Sequence, residues 1–294
     1  MNIRIGTGPD SWGVWFPSHS QQTPWERFLD EVREAGYEWT ELGPYGYLPT
    51  DVAVLRQELE KRGLRAVAAF VMKDLANDDL WPEVEDLIFK TAEWASALGA
   101  KFLNLIDDTY TDVFTGKLLG HPVLDDKQWG ILAGHANRAG EIAQKFGLTL
   151  SFHPHVDTHV EYEDQIEKFL DLTDPGLVNL CFDVGHHAYS GGDATGFMSK
   201  HYDRIAFLHL KNVDREMQKK AKSEGIPFGK AVGMDVFVEP SKGIIDFVEI
   251  LDILREKDYD GWAVVEHDMF PCSFDKPLPI AKRTRAYFRE IGMG

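Results

Sequence analysis

The chain has 294 residues, 44% of them hydrophobic and 27% charged, which is the balance of a folded domain with a large core and not of a disordered tract. A formal net charge of −17 repels phosphate backbones and anionic membrane surfaces, so nucleic-acid and membrane partners are set aside. Two cysteines make no disulfide framework, no apolar run is long enough to span a bilayer and no leader segment precedes Asn2, so a cytoplasmic protein is expected.

Short apolar runs rich in β-branched residues alternate with longer amphipathic stretches. Ile3–Gly8 reads as a strand, and Pro24–Ala35 as a helix with Thr23 as its N-cap and Gly36 after its end. Glu38–Leu42 is a second strand, followed by a helix over Asp51–Arg62 between Thr50 as cap and Gly63 as stop. Ala66–Val71 is a third strand, Pro82–Leu98 a helix and Lys101–Ile106 a fourth strand. Asp125–Phe146 is a long helix, Leu148–Phe152 a fifth strand and Tyr162–Leu172 a helix stopped by Asp174-Pro175-Gly176. Val178–Phe182, Ala194–His201, Ile205–Leu210, Ile244–Lys257, Trp262–Val265 and Pro277–Ile291 continue the alternation to an eighth strand and an eighth helix.

Strict alternation implies a parallel sheet with right-handed crossovers, and eight units are the number that closes a barrel. An open doubly wound sheet predicts a glycine-rich phosphate turn after strand one, and Gly6, Gly8 and Gly13 lack that spacing. The expected fold is α/β, a single-domain (β/α)8 TIM barrel over 1–294 with a long insertion at about 213–243 after strand seven; part of it, Gln218–Glu224, reads as a short extra helix.

In such barrels chemistry sits at the carboxyl ends of the strands, and there the ionisable residues gather. Strand two ends at Glu41 and strand three runs into Lys73 and Asp74. Strand four holds Asn104 and ends at Asp107-Asp108. Strand five ends at His153-Pro154-His155, strand six at Asp183 before Gly185-His186-His187, strand seven at His209 before Lys211-Asn212, and strand eight at Glu266 before His267-Asp268. Any one of these is unremarkable as a cap or a solvated loop residue. Together, His153, Asp183, His209 and Glu266 stand on four successive strands at matching depth. Two imidazoles and two carboxylates form a mixed nitrogen and oxygen set suited to one divalent ion such as Mn, Co, Zn or Fe.

This pattern resembles the xylose-isomerase-like sugar isomerase/epimerase superfamily, over essentially the whole chain. Asp183-Val184-Gly185-His186, His209-Leu210-Lys211-Asn212 and Val264-Val265-Glu266 carry the resemblance, with Asn212 where Asp is usual. The usual strand-five Glu is replaced by His153, which is similar to the inosose dehydratase branch. Glu34-Ala35-Gly36-Tyr37, Thr40-Glu41-Leu42-Gly43, Gly191-Gly192-Asp193 and Tyr259-Asp260-Gly261-Trp262 agree with that branch. Gly8-Pro9-Asp10-Ser11-Trp12-Gly13 and Pro240-Ser241-Lys242-Gly243 depart from it.

The resemblance implies a metal-dependent enzyme, with Mn favoured, that removes water from a keto-inositol. Either His153 or His155 supplies the strand-five ligand. Loss of a proton beside a carbonyl calls for a base, and loss of a hydroxyl for an acid. His155 and Glu41 are the candidates, with Lys73 supporting. Trp12, Asn104, His186 and Lys211 are expected to bind substrate, and Trp15, Phe16 and Tyr45 to wall the pocket, Trp12 and Trp15 equally serving as packing residues. The substrate is a small polyhydroxy carbonyl compound, and its relatives' habits make a homo-oligomer possible. The same site suits a ketose isomerase or epimerase, or a lyase of 3-keto-glycosides. A non-catalytic sugar-binding barrel is the reading from another class, and an endonuclease is opposed by the net charge.

Overall fold

The computed structural model describes residues 1–294. Eight parallel strands form the barrel: β1 Asn2–Thr7, β2 Trp39–Thr40, β3 in two segments Arg65–Ala66 and Ala68–Lys73, β4 Phe102–Asp107, β5 Thr149–Phe152, β6 Val178–Asp183, β7 Ile205–Leu210 and β8 Asp260–Val265. The nine hydrogen-bonded segments run in the order β3-β2-β1-β8-β7-β6-β5-β4-β3. The break in β3 is where the ring closes. Val67 donates its N–H to Thr40 O on the β2 side (2.9 Å) and accepts at its own carbonyl from Lys101 N and Phe102 N on the β4 side (2.8 and 3.1 Å). One residue thus hands the strand from one neighbour to the other, and the TIM barrel has no edge.

Around the ring lie α1 Trp25–Glu34, α2 Val52–Arg62, α3 Trp81–Ala97, α4 Asp126–Lys145, α5 Glu163–Leu172, α6 Val184–Tyr189, α7 Ala194–Lys200, α8 Arg215–Glu224, α9 Phe228–Gly233, α10 Phe247–Glu256 and α11 Pro277–Glu290. Two caps differ from the sequence expectation. Thr23 does not cap α1; its hydroxyl donates to Trp12 O and pins the loop after β1. Thr50 yields to Asp51, whose carboxylate accepts from Ala53 N and Val54 N because a carboxylate reaches two of the orphan amides of the first turn.

Side chains alternate along each strand, so one set packs outward on the helices and the other fills the barrel. The outward set joins a core of 73 buried residues. Inside the barrel a separate cluster of Val67, Ala68, Phe102, Cys181, Phe207 and Val264 forms an apolar floor, with Phe102 stacked on Phe207 at 4.7 Å. Two residues further along the same inward faces stand Asn104, Asp183, His209 and Glu266. The period of two lifts the site directly off this floor.

The stretch after β7 is more ordered than a long irregular loop. Asn212–Val213 pairs antiparallel with Phe237–Val238, and α8 and α9 pack between them. Asn212 holds the ribbon: Nδ2 donates to Pro240 O and Ile245 O, and Oδ1 accepts from Val213 N and Ile245 N. No helix is long and apolar enough to cross a membrane.

Candidate functional site

The loops at the carboxyl ends of the strands enclose a cavity of about 870 Å³, its open mouth included. Its polar floor presents Asp10, Glu41, Asn104, His153, His155, His186, His209, Glu266 and Asp268; its walls are Trp15, Phe16, Phe70, Met72, Ile106, Val113 and Phe228. Neither lysine nor arginine lines it.

At the centre, one donor atom each from His153, Asp183, His209 and Glu266 lies within 4.8 Å of the others. His153 and Glu266 each fall one residue past a strand, yet His153 N still donates to Leu105 O and Glu266 N to Leu210 O, so both keep the strand register. Asp183 ends β6 and begins α6. Its Oδ1 caps that helix, accepting from Gly185 N (2.7 Å) and His186 N (2.9 Å), which turns Oδ2 inward. His209 is oriented by Glu41, whose Oε1 lies 2.9 Å from Nε2. That leaves Nδ1 facing Glu266 Oε2 at 3.1 Å and Asp183 Oδ2 at 3.7 Å. Glu41 Oε1 also accepts from Asn104 Nδ2 at 2.9 Å, and Asn104 Oδ1 accepts from Ser151 Oγ.

These donors fit a divalent ion. His153 turns Nε2 and His209 turns Nδ1 towards Asp183 Oδ2, at 3.5 and 3.7 Å; His209 Nδ1 is buried without a hydrogen bond, and such a polar atom costs free energy unless something occupies it. Four carboxyl groups, Asp10, Glu41, Glu266 and Asp268, line the floor, and a fifth, Asp183, is buried beneath it beside one ammonium, Lys211. Lys211 Nζ lies 3.0 Å from Asp183 Oδ2, 3.0 Å from Glu266 Oε2 and 2.9 Å from Asp268 Oδ2.

This charge density shifts the titrating groups. Burial, then the charges of Glu266, Asp268 and Glu41, raise Asp10 well above the usual carboxylate range against the pull of Lys211. Burial likewise pushes Asp268 up to about 6, opposed by Lys211. Burial and His153 depress His155 to about 3. Its Nδ1 lies 2.8 Å from Val156 O, so Nδ1 carries the proton and Nε2 keeps its lone pair.

Of the residues singled out in the sequence, the structure brings His153, His155, Asp183, His209, Glu266, Glu41, Asn104 and His186 together. Trp12, Lys73, Lys211 and Tyr45 it does not place on the cavity. Trp12 is fully buried behind the first loop, its Nε1 donating to Glu31 Oε2 at 2.8 Å and its ring edge-on to Phe28. Lys73 is exposed: Phe70 and Met72 of β3 face the cavity, and strand parity turns Lys73 away from it. Lys211 lies beneath the floor and is wholly buried, bonded to the acids instead of reaching the cavity. Tyr45 is also off the cavity, edge-on to Trp94.

Asp10, Asp268 and Phe228 were not anticipated. Asp10 follows β1, the one strand end left out of the sequence reading. Its loop is tied to β8 by His267 N donating to Ser11 Oγ and Met269 N donating to Asp10 O. Asp268 stood in view beside Glu266. Phe228 arrives from α9, which no local pattern connects to the site.

The xylose isomerase-like TIM-barrel family model matches residues 29–291. A curated inosose dehydratase of Clostridium perfringens is 31% identical over 297 residues, covering 98% of this chain and 97% of that protein. Among solved structures, the protein IolI with a bound zinc atom superposes with a TM-score of 0.73 at 14% identity, covering 97% of each chain. An L-ribulose 3-epimerase superposes with a TM-score of 0.73 at 18% identity, covering 98% of this chain and 94% of that one. With its whole length shared, its barrel closed and its polar residues gathered at the strand ends, the chain belongs to the xylose isomerase-like TIM-barrel family and is a relative of the inosose dehydratases.

Proposed function

We propose that this protein is a metal-dependent hydro-lyase that removes water from a keto-inositol such as 2-keto-myo-inositol. The observation that carries the reading is the convergence of His153, Asp183, His209 and Glu266 at the floor of a cavity that no lysine or arginine lines. A cavity so acidic repels phosphate and carboxylate groups and accepts a neutral polyol, with C–H faces against Trp15 and Phe228 and hydroxyls on the floor. The names of the inosose dehydratase relatives agree with this substrate.

A divalent ion held by His153, Asp183, His209 and Glu266, manganese being our choice, would supply Lewis acidity to a carbonyl and its neighbouring hydroxyl. His155 completes no part of that set. It lines the cavity with Nε2 unprotonated, and it takes the proton beside the carbonyl as the negative charge of the forming enolate offsets the burial that depresses its pKa. Glu41 follows β2, across the cavity from His155 after β5. One oxygen each of Asp10, Glu41 and Glu266 lies within 4.8 Å of the others. Such close carboxyls do not all ionise, and Asp10, raised by burial and its acidic neighbours, holds the proton that the leaving hydroxyl takes. Glu41 fixes His209 and Asn104 through Oε1. His186 and Asn104 orient hydroxyls.

The test is incubation of metal-replete and chelated protein with 2-keto-myo-inositol, following the ultraviolet absorbance of an enolised dione. A metal-dependent band, lost in folded His153→Ala and Glu266→Ala proteins, supports the reading; its absence from metal-replete protein refutes it. Proton-exchanging groups on opposite sides, His155 and Glu41, are also what an epimerase requires. No dione, but deuterium uptake into the substrate or a new ketose, moves the assignment to epimerase or isomerase.

A further inference from the structure

Beneath the proposed metal centre lies a donor it does not use. Cys181 stands on β6 two residues before Asp183, so both side chains point into the barrel. Its thiol belongs to the apolar floor, and the residue is wholly buried. Nevertheless one donor atom each from His153, Cys181 and His209 lies within 4.8 Å of the others, and because His153 turns Nε2 to Asp183 at 3.5 Å, its Nδ1 is left buried with no hydrogen-bond partner.

We propose that His153, Cys181 and His209 form a second, deeper site for a soft divalent ion such as zinc, mutually exclusive with the site that includes Asp183 and Glu266. The inference rests on the proposed reading of His153 and His209 as ligands. The two sets share these histidines and differ in what completes them: the carboxylates of Asp183 and Glu266, or the one sulfur of Cys181 in the apolar floor. Carboxylates suit manganese and magnesium, whereas thiolate and imidazole together suit zinc and cadmium. Zn–S and Zn–N bonds of about 2.3 and 2.0 Å hold donors at most about 4.3 Å apart, so a small inward movement of the rings completes the set. On binding, the Cys181 S–H bond breaks, the S–Zn bond forms and the proton leaves to solvent, with no change of oxidation state. An ion in this position has withdrawn from the cavity, so zinc inhibits where manganese activates. Lys211 reinforces the choice: its ammonium neutralises Asp183 and Glu266 and competes with a cation at the upper set only.

The experiment loads the full-length apoprotein with Co²⁺ and records its absorption, for wild type, Cys181→Ser, Cys181→Ala and, as a control, Cys272→Ser, whose cysteine lies in the loop after β8. The expected result is a near-ultraviolet thiolate-to-cobalt band in wild type and Cys272→Ser, absent from both Cys181 variants, which keep the visible cobalt bands. Zinc affinity measured against a chelating dye should fall by about tenfold or more in both Cys181 variants while manganese affinity stays within about twofold. Wild type that binds one cobalt ion with visible bands but no near-ultraviolet band, and whose zinc affinity is unchanged by Cys181→Ala, overturns the deeper site and leaves the upper one standing. Wild type that binds no ion overturns both.

Discussion

Lys211 donates to Glu266 across 3.0 Å where neither side chain meets bulk solvent, the lysine being 1% exposed and the glutamate 7%. The same ammonium reaches Asp183 and Asp268, so it counterbalances the acids of the floor. Removing one partner of a buried ion pair costs about 3–5 kcal/mol. Lys211→Met should lower the urea-unfolding free energy of chelated protein by about that amount, and less when a divalent ion is supplied. An effect under about 1 kcal/mol in chelated protein would mean that water already screens these acids.

Binding of an ion to the folded chain stabilises it by mass action, about 2.7 kcal/mol at a free concentration of about 100 Kd. Manganese should therefore raise the thermal midpoint of wild type and leave that of His153→Ala or Glu266→Ala nearly where chelation puts it. Calorimetry with and without chelator checks this; equal shifts in wild type and both variants would place the ion elsewhere.

The loop that brings Thr109 and Val113 to the cavity is latched by His159. Its Nδ1 lies 2.6 Å from Asp107 Oδ2 and its Nε2 2.9 Å from His121 O. Both contacts take a donor, so the doubly protonated ring is the bonded form. Burial opposes that form, but the hydrogen bond and charge of Asp107 outweigh it and the pKa is raised above 6.5. This contribution is fully present below the unfolded value of about 6.5 and fades as pH rises through the folded value. The stability difference between wild type and His159→Asn should be largest near about pH 6 and shrink towards about pH 9. A difference that grows with pH would reverse the assignment of the proton.

Trp12 and Lys73 should separate structure from chemistry. Trp12→Phe removes the Nε1 donation to buried Glu31 and should cost about 1–3 kcal/mol with KM unchanged. Lys73→Ala should leave stability within about 0.5 kcal/mol and kcat within experimental error. A large fall in kcat for Lys73→Ala would show that the loop after β3 folds over the substrate.

Gly185 is needed because α6 starts against Lys211. A methyl there would stand 2.5 Å from Lys211 Cβ and 2.9 Å from its carbonyl oxygen. Gly185→Ala should destabilise by about 1–3 kcal/mol, the usual scale for overpacking, and lower metal content by displacing Asp183, whose Oδ1 accepts from Gly185 N. Normal metal content in a destabilised variant would uncouple the helix start from the centre.

The barrel was legible before folding because its signals are local. Short β-branched runs alternate with amphipathic stretches eight times along the chain, and each polar residue closing an apolar run marks a strand tip. His153, Asp183, His209 and Glu266 could be read that way because four tips at equal depth meet whenever eight such units close. Direction and reach could not. Lys73 and Met72 are adjacent in sequence, and the pleat alone sends one to solvent and the other to the cavity. Lys211 reads as a substrate lysine until β6 and β8 bring three carboxylates around it. Trp12 is claimed by Glu31 of α1, and Phe228 reaches the wall only because the ribbon after β7 folds back. Element type and strand-end chemistry follow from neighbours within a few positions along the chain, whereas which side chain meets which is decided by residues far apart in sequence, packed where water is excluded and each buried charge must find a partner.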